Sequence, residues 1–148
     1  MAHEVFISHS SKDKAVTKAI FTALETAGIK CWIAPRNINP GQEWPEAIVN
    51  AVTSSRAMVL IFSKNANHSK DVAKETFLAI NMGIDLIPIK IEDTEPIGAM
   101  QYYLADRKWL DATDQPVEEK IKELLELIRP LIPVAAAMAK PENLRTGL

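Results

Sequence analysis

One cysteine, three histidines and no surplus of basic charge already exclude several classes of protein. Cys31 alone cannot close an internal disulfide, and one thiol with three histidines makes no familiar zinc cluster. A chain that does without disulfides suits a reducing compartment, so a cytoplasmic location is expected. Lys and Arg total 17 against 19 Asp and Glu, a formal net charge of -2. That balance lacks the basic excess on which nucleic-acid binding draws, and no nucleic-acid partner is expected. Long apolar runs are missing too. The longest, such as residues 57–62, fall far short of the roughly 20 residues that span a bilayer, so no membrane partner is expected. Residues 1–10 contain Val5, Phe6 and Ile7 but no basic leader and no extended apolar core, and no targeting segment is expected.

Several motifs are absent as well. No GxGxxG or Walker loop follows the first apolar run, which speaks against a standard dinucleotide fold and a P-loop NTPase. A phospho-acceptor receiver needs acidic residues at its strand ends, whereas here the first strand ends in Ser8 and His9 and the third in Ser63. Ser8, His9 and Ser10 have no downstream histidine–carboxylate pair that would complete a hydrolase triad. A serine-rich loop capping the next helix is the simpler reading of them.

What is present is an ordinary globular mixture. The 148 residues, 47% hydrophobic and 24% charged, suit one compact domain. Short apolar runs alternate with amphipathic stretches. Residues 5–7 read as a first strand; Val16, Ile20 and Leu24 then recur at helical spacing until Gly28. Residues 30–33 read as a second strand, followed by a loop at 34–43 with two prolines and a glycine. A helix at about 45–54 starts with Pro45 in its first turn, and 57–62 reads as a central buried strand. Ser69 reads as the N-cap of a helix that ends at Gly83, and 86–91 as a fourth strand. A short helix near 99–105, a fifth strand near 108–110 and a helix striped by Val117, Ile121, Leu124, Leu125 and Ile128 complete the domain, taken as residues 1–133. Residues 134–148 show no stripe and read as a linker or tail, with a C-terminal sensor domain expected in the full-length protein.

Five strands alternating with five helices predict an α/β, flavodoxin-like three-layer fold. Its five-stranded parallel sheet has order 2-1-3-4-5 with helices on both faces. In such folds ligands gather at the carboxyl ends of the strands, here the loops 8–13, 34–44 and 63–68.

Glu75 is the most informative residue. Its helical neighbours are Asp71, Val72, Leu78 and Ala79, so no Lys or Arg is placed to form the usual exposed ion pair. Apolar surroundings and a like charge one turn earlier are expected to raise its pKa, which suits an acid, base or cation stabiliser. Set against this is an ordinary surface glutamate on a helix. Ser69 and Asp71 also have simpler readings, as a cap and a complement to the helix dipole. Trp32 and Trp44 bracket the proline-containing loop and either pack locally or offer an aromatic face to a ligand ring. Arg36, the one cation of that loop, is placed to meet a phosphate or to lie in solvent.

These segments resemble a known family. Val5-Phe6-Ile7-Ser8-His9-Ser10-Ser11-Lys12-Asp13 resembles the first strand and loop of Toll/interleukin-1 receptor (TIR) domains, bacterial ones especially. The stretch Cys31 to Gly41 is similar to the family's second strand and BB loop, and Met58 to Asn65 to its third strand. The run Ser69 to Glu75 resembles its serine-to-glutamate motif. The resemblance implies a domain that either assembles with other TIR domains or cleaves NAD⁺ between nicotinamide and ribose, with no cofactor because NAD⁺ is the substrate. In the catalytic case it implies Glu75 as the catalytic group and Ser8, His9, Ser10, Trp32, Arg36, Ile38, Trp44, Ser69 and Asp71 as substrate-binding positions. It further implies homo-oligomeric activation and a role in antiphage immunity or NAD-derived signalling. Asp71 departs from the pattern, since many plant and animal enzymes carry tryptophan four residues before the glutamate.

Overall fold

The computed structural model describes residues 4–33 and 44–132, without the side chain of Trp44. The loop carrying Arg36 and Ile38, and the boundary expected at 133/134, lie outside the described residues. In chain order the elements are β1 (Val5–Ser8), α1 (Lys14–Thr26), β2 (Cys31–Ile33), α2 (Trp44–Thr53), β3 (Ala57–Phe62), α3 (Lys64–Asn67), α4 (Lys70–Met82), β4 (Asp85–Lys90), α5 (Ala99–Tyr103), β5 (Leu110–Asp111) and α6 (Val117–Ile128).

All strand pairs are parallel, in the order β2-β1-β3-β4-β5. This is the expected doubly wound, flavodoxin-like sheet. Phe6 of β1 registers with Trp32 on one side and Met58 on the other. Because successive side chains leave a strand on opposite faces, β1 divides its residues between two cores. Val5 and Ile7 join Val59 and Ile61 beneath α1 and α6, where Ile20, Leu24, Leu124 and Ile128 are buried. Phe6 joins Met58, Leu60 and Phe62 beneath α2, α4 and α5, where Val52, Val72 and Met100 are buried. Each such side chain taken fully from water contributes about 1.5–3 kcal/mol. Ser8, two residues after Phe6, lies on the α4 side at the carboxyl end of β1, beside the β1–β3 boundary where the winding reverses.

α4 runs between the two expected signals. The Ser69 hydroxyl accepts from the Val72 amide at 3.1 Å, and Gly83 caps the other end with φ 75°, a left-handed conformation that glycine adopts without strain. Two segments differ from expectation. Within residues 63–68, expected as a loop, Lys64–Asn67 form the short helix α3, which Ser63 caps by accepting from the Ala66 amide at 3.0 Å. The serine-rich loop after β1 tightens into a 3₁₀ turn at Ser11–Asp13, where Ser10 accepts from the Lys12 amide at 3.2 Å, and it feeds directly into α1. Among the described residues no helix is long and apolar enough to cross a membrane.

Candidate active site

The buried residues of α4 are Val72, Glu75, Thr76 and Ala79, spaced i, i+3, i+4 and i+7. That is the stripe by which a helix packs on a sheet, and one of its four members is a carboxylic acid. Thr76 satisfies its own hydroxyl by donating to the Val72 carbonyl at 2.7 Å. Glu75 finds a partner across the layer boundary: the Ser8 hydroxyl, on the face of β1 turned to α4, donates to its Oε1 at 2.6 Å. Only 6% of Glu75 is exposed, so its charged form is poorly solvated. Burial pushes its pKa from 4.5 up to about 7; the Ser8 hydrogen bond opposes the rise, and the Asp71 charge adds to it. The two causes expected from the sequence, apolar surroundings and Asp71, both act in that direction.

Two cavities meet at this carboxyl. A polar one of about 570 Å³ is lined by His9, Ser10, Lys12 and Lys14 from the loop after β1 and the start of α1, and by His68 and Ser69 at the start of α4. An apolar one of about 650 Å³ lies between α2, α4 and α5, with Val49, Phe77, Leu78 and Tyr103 among its walls. Ile48, Asp71 and Glu75 line both. Burial holds the His9 pKa below its usual 6.5, outweighing the opposing charge of Asp13, so the imidazole is neutral near pH 7.

The structure therefore brings together Glu75, Ser8, His9, Ser10, Ser69 and Asp71, but in different roles. His9, Ser10, Ser69 and Asp71 line the polar cavity. Ser8 is fully buried behind Glu75 and lines neither cavity. Of the two readings expected for Trp32, the described residues show the local packing. It is 5% exposed, stacks on Phe6 with ring centroids 5.0 Å apart, and lines neither cavity. Its direction follows from the strand register, which places it beside Phe6 in the α2–α4 core. Arg36, Ile38 and the Trp44 side chain lie outside the described residues. Lys12 and Lys14 line the polar cavity without having been expected there, although a pair of cations flanking Asp13 after a strand's carboxyl end is a visible signal.

The sequence profile of the TIR domain family matches residues 5–125. This chain belongs to the TIR domain family. The domain is 26% identical over 134 residues to the NAD(+) hydrolase PdTIR of Paracoccus denitrificans, covering 86% of this chain and 44% of that protein. It thus spans less than half the length of that curated relative. Among solved structures, the TIR domain of the Toll-related receptor TRR-2 of Hydra magnipapillata superposes with a TM-score of 0.72 at 26% identity, covering 86% of this chain and 98% of that one. The TIR domains of the activated Roq1 resistosome superpose with a TM-score of 0.71 at 19% identity, covering 86% and 99%, a likeness of fold.

Proposed function

We propose that this TIR domain cleaves NAD⁺ at the nicotinamide–ribose bond, with Glu75 as the catalytic residue. The observation that carries the reading is a buried carboxyl, with its pKa raised to about 7, at the seam of a polar and an apolar cavity. The likeness to a bacterial NAD(+) hydrolase supports it. Cleavage expels neutral nicotinamide and leaves positive charge on the ribose, as in glycoside hydrolysis. A carboxylate in a partly dry site stabilises that cation more strongly than one in water. Water then attacks the ribose and yields ADP-ribose, and Glu75, with its pKa near neutrality, takes up the proton that water releases. An internal hydroxyl or ring nitrogen as acceptor gives a cyclic product instead.

The two cavities suggest a pose. Lys12 and Lys14 suit the diphosphate in the polar cavity, which places the sugar at Glu75 and the flat nicotinamide ring on the apolar side. NAD⁺ is the substrate, so no further cofactor enters. We also propose that the domain acts in the cytoplasm, within a longer protein of antiphage immunity or NAD-derived signalling, and that self-assembly with other TIR domains activates it.

The test is nicotinamide release from NAD⁺ by the wild-type protein and by Glu75→Gln, free in solution and crowded on beads. Release by the wild type and none by Glu75→Gln is expected. Equal release by both sinks the assignment of Glu75. Crowded wild type that self-associates without cleaving NAD⁺ replaces the enzyme with an interaction module.

A further inference from the structure

Glu75 carries two carboxyl oxygens with different surroundings. Oε1 accepts the Ser8 hydroxyl at 2.6 Å. Among the described residues Oε2 accepts no hydrogen bond, yet no fully buried side-chain polar atom there lacks a partner. Oε2 therefore keeps access to the cavities that Glu75 lines. Ser8 has no such access, being 0% exposed at the end of a central strand. We propose that Ser8 is a positioning residue for Glu75: its hydroxyl holds Oε1 and leaves Oε2 as the one oxygen turned toward the substrate.

The proposal rests on the NAD⁺-cleaving reading and adds a division of labour to it. A glutamate side chain has three rotatable bonds, and burial alone does not choose among its rotamers. A hydrogen bond from a strand, anchored on both sides by β2 and β3, supplies that choice with little further loss of freedom. Donation by Ser8 also favours the ionised carboxyl, because hydrogen bonds to a charged acceptor are the stronger ones. The other titratable groups facing the seam line the two cavities: His9, Lys12 and Lys14 from the β1 loop and α1, His68 before α4, Asp71 and Lys74 on α4, and Tyr103 on α5; of these, Asp71 adds its charge to the environment of Glu75. Among the described residues, Ser8 is the one that hydrogen-bonds the carboxyl.

The experiment is a pH titration of the Glu75 carboxyl by ¹³C NMR in glutamate-labelled protein, with its resonance assigned by its loss in Glu75→Gln. Wild type is expected to titrate at about 7. Ser8→Ala is expected to titrate about one pH unit higher, and Ser8→Cys, a near-isosteric but weaker donor, in between. With NAD⁺, kcat of Ser8→Ala at pH 7 is expected to fall about fivefold while KM stays level. A midpoint near 8 leaves about a tenth of the carboxyl ionised at that pH, against about half in wild type. Identical midpoints in wild type and Ser8→Cys overturn the proposal even if Ser8→Ala does not fold. The titration needs no turnover, so absence of NAD⁺ cleavage would sink the proposed function without deciding the role of Ser8.

Discussion

Asp13, in the turn after β1, accepts a hydrogen bond from the Ser63 hydroxyl at the end of β3, 50 residues along the chain. The same carboxylate accepts from Asn65 Nδ2 at 3.0 Å. Ser63 in turn caps α3, so one aspartate ties together the two segments that leave adjacent strands beside the candidate site. Among the described residues, these are the side-chain bonds that join the segment bearing His9, Lys12 and Lys14, from the β1 loop into α1, to the end of β3 and the start of α3.

Asp13→Ala is accordingly expected to destabilise the domain by about 1–3 kcal/mol, because Ser63 and Asn65 lose their shared charged acceptor. Urea unfolding measures the cost. A loss near zero would mean that the two loops hold their places unaided.

Glu75 is expected to cost stability at neutral pH. Its pKa rises from 4.5 to about 7 on folding, so between those values the unfolded chain has released the proton that the folded chain still holds. Stability then falls as pH rises through this window. The full penalty above pH 7 is about 3 kcal/mol from the size of that rise. Glu75→Gln, which cannot ionise, should therefore have a higher Tm than wild type at pH 8 and gain nothing at pH 4.5. Equal Tm values at pH 8 would contradict a desolvated carboxyl.

Cleavage of NAD⁺ should rise with pH through about 7, because the carboxylate stabilises the ribose cation and the neutral acid does not. The rate profile from about pH 5.5 to 8.5 tests this, and a flat profile would exclude ionisation of Glu75 from the rate.

Lys12 and Lys14 are expected to act through the diphosphate. Alanine at either position should raise KM for NAD⁺ by about two- to fivefold, the size of an exposed charge interaction, and added salt should shrink the difference. Nicotinamide riboside, which lacks the diphosphate, should be indifferent to both substitutions. A similar change in KM for the two substrates would move the diphosphate elsewhere.

Trp32 is expected to matter for stability alone. Trp32→Ala should cost about 3–5 kcal/mol through the cavity left beside Phe6, whereas Trp32→Phe should leave KM for NAD⁺ unchanged. A raised KM in Trp32→Phe would return this ring to the binding site.

The amino-acid sequence by itself determined the order of the five strands and of every helix but the short α3, because hydrophobic period and capping are local properties. α4 runs from the Ser69 cap to the Gly83 stop, as both residues announce. Glu75 also stood out locally, since the positions one turn away on either side hold no cation. Only the tertiary structure decided what that carboxyl touches. Ser8 lies 67 residues away and reaches it because β1 is central and α4 packs over its end, a matter of strand register and layer packing. The same register turned Trp32 into the core and drew Ser63 to Asp13. The seam between the two cavities arises likewise from the meeting of α2, α4 and the β1 loop. Periodicity reports which face of an element is apolar; what that face meets depends on contacts that form only when distant segments close on one another.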